Sequence, residues 1–215
     1  MQLAEIDARD SRLIQIVDTA MAEAVRRAGP WLACRLGCSQ CCVGPFPIEQ
    51  LDAYRLRRGL VALQTSDPER ARHVQERARE YVARVSHDFP GDPVTGILDD
   101  SDEGEKRFEN FADSEPCPAL DPETGGCDLY SARPLLCRSF GPPMRNGDDL
   151  VVCELCFDGA TDAEVESCAV DRDPEKLETA LEDDLAKIDG ATGRTIVAFC
   201  LASSESCKIA VAEET

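Results

Sequence analysis

Aromatic residues are scarce in this chain, at 5% of 215 residues with a single Trp. A core must therefore be built from Leu, Val, Ile and Ala. Histidine is scarcer: His73 and His87 are the only two. Both fall in or at the end of a largely solvated predicted helix, so imidazole is a poor source here of metal ligands or of a general base. Positive charge is short as well, with 23 Lys and Arg against 42 Asp and Glu, a formal charge of −19. Phosphate backbones need clustered cations, which excludes nucleic acid as the expected partner. So acidic a surface also repels anionic membranes. No apolar run approaches the ~20 residues that span a bilayer. The first ten residues, Met1 to Asp10, lack the basic flank and apolar run of a secretory leader, and a cytoplasmic location is expected. There is no glycine-rich phosphate loop, no nucleotide-binding fingerprint and no serine–histidine arrangement. No catalytic residue can be named, and whether the chain is an enzyme stays open.

Cysteine is the exception to this scarcity. There are twelve, and in a reducing compartment that number points to metal or redox chemistry rather than structural disulfides. Eight fall into a pattern: Cys34, Cys38, Cys41 and Cys42 in one run, then Cys117, Cys127, Cys137 and Cys153. Thiolates are strong, soft ligands for zinc or iron–sulfur clusters. The first run stands at i, i+4, i+7 and i+8. On a helix its ends would lie about 12 Å apart, too far for one tetrahedral ion. The run is thus either a loop curling around one site or a helix serving two. Adjacent Cys41 and Cys42 diverge and serve one ion awkwardly, so two neighbouring sites are expected. Around Cys117, Cys127 and Cys137, prolines and glycines fix tight turns that leave backbone N–H groups free to point at sulfur. Arg133 and Arg138 flank Cys137, either to offset thiolate charge or as surface partners of Asp and Glu. Cys200 reads as a buried core residue, Cys168 as an exposed thiol, and Cys207 has no assignable role.

Periodicity predicts helices. Leu13, Val17, Ala20, Met21, Ala24 and Ala28 mark one over 5–28, stopped by Gly29-Pro30. A second starts at Pro47 with Ala53, Leu56, Leu60 and Leu63 on one stripe. Ser66 and Glu69 read as a capping box for a third, carrying Ala71, Val74, Ala78, Tyr81, Val82 and Val85. Residues 88–116 read as an irregular connection. Asp173-Pro174 starts another helix with Leu177, Ala180, Leu181, Leu185 and Ile188, and a last one covers 192–203. No internal repeat is seen. The expected fold is mainly α: a single small domain over 1–215, with irregular Cys/Pro/Gly-rich loops organised around a metal site in a cysteine-cluster region, 31–157, and a C-terminal helical region, 173–207.

The run Cys34-Arg-Leu-Gly-Cys38-Ser-Gln-Cys41-Cys42, the later PCPAL, GGCDLYSARPLLCRSFG and VVCELCF segments, and their order resemble the YkgJ-type cysteine-cluster proteins, also described as the CxxCxxCC zinc- or iron-chelating family. The resemblance covers about 31–157. It implies that the family's cluster cysteines are Cys34, Cys38, Cys41, Cys42, Cys117, Cys127, Cys137 and Cys153, and that Tyr130, Arg133, Pro134, Cys137 and Arg138 form its Tyr-x-x-Arg-Pro-x-x-Cys-Arg block. Two departures stand out. Phe46 replaces a frequent Thr, and Cys156 stands where related chains tend to have Asn, making it an extra or substitute ligand. The leading expectation is an iron–sulfur protein that passes electrons to a redox partner protein. A zinc protein with a structural or metal-handling role is the alternative. A methyl-transfer enzyme resembling the flagellin lysine methylases, which carry a related cluster, is the third.

Overall fold

Ile6, Leu13, Val17, Met21, Ala24 and Ala28 recur every three, four or seven positions and form the buried stripe of the longest element, α1 (Leu3–Ala28). The structure is a computed structural model describing residues 2–35, 37–146, 149–171, 173 and 175–202. After α1 come α2 (Gln50–Ser66), α3 (Pro68–Val85), β1 (Gly91–Asp92), β2 (Ile97–Leu98), α4 (Asp102–Phe108), α5 (Leu135–Ser139), β3 (Met144–Asn146), β4 (Asp149–Val151), α6 (Asp162–Ser167), α7 (Leu177–Asp189) and α8 (Val197–Ala202). Helix takes 57% and strand 8%, so the chain is mainly α as its periodicity predicts. Two compact units divide it: Met1–Leu36 with Leu135–Gly190, and Gly37–Pro134 with Ala191–Thr215.

In the first unit, α1 packs on α5 and α7. Leu181 and Leu185 of α7 are buried, and Arg9 donates to Asp184 at 2.7 Å. Arg138 of α5, itself buried, reaches Asp18 of α1 at 3.0 and 3.1 Å. A smaller core gathers Ala28, Cys156, Phe157 and Cys168, with Trp31, Leu32 and Cys153 packed against it. The Phe157 N–H donates to the Trp31 carbonyl at 2.7 Å and ties the two segments together. Strands β3 and β4 pair antiparallel. The α7 helix begins at Leu177 rather than Asp173. The Asp173 carboxylate accepts from the N–H groups of Leu177 and Glu178 at 2.9 and 2.7 Å, satisfying the first turn from outside it.

In the second unit, α2, α3 and α8 pack together around Leu56, Leu60, Val74, Ala78, Val197 and Leu201. The turn between α2 and α3 is one residue, Asp67. Its carboxylate accepts from Arg70 N–H, so Asp67 and not Ser66 caps α3, with Pro68 in the first helical turn. The start of α2 is Gln50, not Pro47. Ile48 is held extended instead, exchanging backbone hydrogen bonds of 2.8 and 3.0 Å with Thr195. The same pairing keeps 192–196 out of the last helix, which is shorter than periodicity suggested. Residues 88–116 are more ordered than expected, holding the β1–β2 hairpin and α4. Phe89 meets Phe199 and Phe111 there, with centroids 4.4 and 5.7 Å apart.

Candidate metal centre

Within 37–134, backbone pairing draws the two cysteine groups together. A 3-10 turn, Gln40–Cys42, presents the vicinal pair. The next residue, Val43, bridges Pro116 antiparallel, and Cys117 N–H donates to the Cys42 carbonyl at 2.7 Å. Leu120 then bridges Cys127, closing the loop that carries Cys117 and Cys127. The backbone of Gly125, at φ +68°, lies against Gly37 and sets that loop beside the approach to Cys38. Residues 37–42 therefore form a turn and a short 3-10 segment rather than an α-helix. Cys38, Cys41, Cys42, Cys117 and Cys127 all belong to this unit.

Backbone N–H groups near the sulfurs favour the thiolate form, those of Ala119 and Leu120 at Cys117 and that of Leu129 at Cys127, while the Leu120 N–H itself donates to the Cys117 carbonyl at 2.9 Å. Burial nevertheless dominates in the metal-free chain, pushing the Cys117 thiol up to about 12 and the Cys127 thiol upward. Cys41 goes the other way, lowered to about 6, chiefly by its hydrogen bond with Cys42 and further by the Arg133 charge. Arg133 also lies near Cys127. Its guanidinium sits 3.8 Å from the Tyr130 ring centroid and donates to the Tyr130 carbonyl at 2.7 Å. Arg133 thus offsets thiolate charge, whereas Arg138 pairs with Asp18.

Helix α3 clamps the thiol-bearing loop through residues that periodicity did not nominate. Arg77 donates to the Pro118 carbonyl at 2.9 Å and to Asp128 at 2.6 Å, and Arg70 joins the same carboxylate. Their only signal in the sequence is a position beside the buried stripe of α3. The Tyr81 hydroxyl is also buried near Cys117 and has no hydrogen-bond partner among the described residues.

The remaining candidates lie in the other unit: Cys34 is exposed, and Cys137 and Cys153 are half-buried. Cys156, outside the eight, comes within 4.0 Å of Cys34, sulfur to sulfur. Cys168, the C-cap of α6, is buried with Ala28, Cys156 and Phe157, contrary to the exposed thiol expected. Cys200 is buried in the second unit, its thiol donating to Ala53 O at 3.3 Å. Cys207 lies outside the described residues. His73 and His87 are exposed.

Among the described residues no three side chains of His, Cys, Asp or Glu close around a common metal position. The donor chemistry fits a thiophilic metal even so: five thiols lie in one unit, and the Arg133 charge favours the thiolate at Cys41. No helix among the described residues is long and apolar enough to cross a membrane. No curated protein and no solved structure matches the chain significantly. Residues 33–157 match a family model described as "CxxCxxCC: Putative zinc- or iron-chelating domain". That stretch is more than half the chain and spans every thiol just described in the 37–134 unit, and so this protein belongs to the CxxCxxCC family.

Proposed function

We propose that the chain is an iron–sulfur protein that passes electrons to a redox partner. The observation that carries this reading is the backbone pairing that brings the thiol-bearing segments together, with Cys117 N–H on the Cys42 carbonyl at 2.7 Å and Leu120 bridging Cys127. Gathered thiolates are the ligands of iron–sulfur clusters, and backbone N–H groups near Cys117 and Cys127 favour the charged sulfur. Cys38, Cys41, Cys42, Cys117 and Cys127 would hold the group, which supplies one-electron transfer when bound. Arg133 lowers the cost of gathering several anionic sulfurs, and Arg77 fixes the loop by its bonds to Pro118 and Asp128. The second reading is zinc. It is favoured by the packing of Cys117 and Cys127 against the main apolar core, where an ion joining them to the 38–42 loop would act as a structural clamp.

Anaerobic purification, followed by metal and acid-labile sulfide analysis with a visible spectrum, separates the two. Brown protein with sulfide and iron in matching amounts is expected. Colourless protein with stoichiometric zinc and no sulfide would replace the first reading by the second.

A further inference from the structure

Cys34 and Cys156 place their sulfurs 4.0 Å apart in the unit formed by residues 1–36 and 135–190. The two thiols differ in access: Cys34 is exposed and Cys156 is buried. Cys156 sits in an apolar cluster with Ala28 and Phe157, against which Trp31 and Leu32 pack. Such a seat disfavours a pair of thiolates and accepts an uncharged disulfide. Bonding needs the sulfurs to close from 4.0 Å to about 2.05 Å, a travel that a side-chain rotation of the exposed Cys34 supplies. A Cβ at Gly141 would come within 3.1 Å of the Cys34 sulfur, so glycine there leaves it room to turn. The backbone beside the pair is already joined, the Phe157 N–H donating to the Trp31 carbonyl at 2.7 Å. The two segments are held together before any bond forms.

We propose that Cys34 and Cys156 form a reversible disulfide, Cys34 meeting a low-molecular-weight disulfide and Cys156 resolving the adduct. Cys34, having given its proton to solvent, attacks one sulfur of the reagent; the reagent's S–S bond breaks, and one reagent thiolate leaves and takes up a proton. Cys156 then loses its proton and attacks the Cys34 sulfur, expelling the second reagent thiolate, which is protonated in turn. Two protein thiols thus lose two electrons, and one small disulfide is reduced to two thiols. The link joins positions 122 apart in the chain, one on each side of the 37–134 segment. Reducing conditions reverse it. It draws on none of the five thiols named above as holding a metal or cluster, and stands or falls apart from that reading.

The test treats the reduced full-length chain with glutathione disulfide, both as purified and after metal removal, and then blocks the remaining thiols by alkylation. Cleavage after Arg and Glu separates the candidates, since Glu154 parts Cys153 from Cys156, and Glu164 and Glu166 part Cys156 from Cys168. Mass spectrometry should find a Cys34–Cys156 linked peptide in both preparations, lost again on addition of dithiothreitol. Cys156→Ser should instead stop with glutathione retained on Cys34, and Cys34→Ser should leave Cys156 reduced. Cys168→Ser, equally buried but without the pairing, should link as wild type does. A wild-type chain that keeps glutathione on Cys34, that pairs Cys156 with Cys153 or Cys168, or that leaves both thiols reduced overturns the proposal. A link that appears only after metal removal assigns Cys34 to the metal and overturns it too, leaving the metal-binding reading untouched. Should a variant fail to fold, the wild-type map alone decides.

Discussion

Tyr81 carries its hydroxyl into the second unit's core, where nothing accepts or donates to it among the described residues. A buried, unpaired hydroxyl costs about 1–3 kcal/mol of desolvation. Tyr81→Phe should therefore leave stability unchanged or raise it by up to about 1 kcal/mol, read as a shift of the urea midpoint; a clear loss would mean the hydroxyl has a partner when metal is bound. Individual cysteines differed in how much their sequence context disclosed. The eight thiols stand out in the sequence by their spacing, and five of them lie in the 37–134 unit. Cys168 was misjudged because its acidic neighbours in α6 give no sign of the apolar cluster of Ala28, Cys156 and Phe157 that this C-capping residue joins. Two five-residue turns escaped notice altogether. Asp92-Pro-Val-Thr-Gly96 and Asp121-Pro-Glu-Thr-Gly125 repeat one pattern, the Asp carboxylate accepting from the N–H two residues on and the Thr hydroxyl three on. Read for helical period, neither stands out; read for turn chemistry, both do.

Helices were the most legible elements, since their stripes repeat several times and α1, α2 and α3 lie close to where periodicity put them. Their ends were less so. Pro47 reads as a helix start, yet its neighbour Ile48 pairs with Thr195, a partner nearly 150 positions away that no local rule could supply. The β1–β2 hairpin was missed because each strand has two residues, too few for alternation to register. Gly59 illustrates an element contact that sequence concealed. It lies inside α2, where glycine costs helix stability, but a Cβ there would come 2.2 Å from the Ala132 Cβ. The missing side chain lets the 3-10 turn Tyr130–Ala132, next to Arg133, sit directly on the helix. Gly59→Ala should destabilise by about 1–3 kcal/mol through overpacking, against a helix-propensity gain of about 1 kcal/mol. Thermal denaturation would detect it, and a more stable variant would show that the turn can retreat.

For the molecule as a whole, acidity sets the response to pH. Asp184 is held below the ordinary carboxylate range by hydrogen bonds from Arg9 first and Lys187 second. Its folded pKa lies below the unfolded value of about 3.9. The stabilisation is therefore present above that value and is lost as pH falls through the folded pKa. Protonating the other carboxylates meanwhile relieves the repulsion of a −19 chain, so the comparison needs a reference. Arg9→Ala should lower stability at pH 6 and narrow toward wild type at pH 3, measured by urea midpoints. A gap that stays constant across that range would remove the Asp184 pair from the account.

The order of the two units along the chain has a consequence for synthesis. The α1 stripe leaves the ribosome first, but α5 and α7, which bury it, follow only after residues 37–134 have been made. That middle segment must in turn await α8 to complete its own core. Every described thiol but Cys200 thus emerges while both folds are still open. A nascent chain of this kind is a string of accessible sulfurs awaiting α8. Whatever binds these thiols meets either folded units or an open chain that any thiol-reactive species can reach as readily.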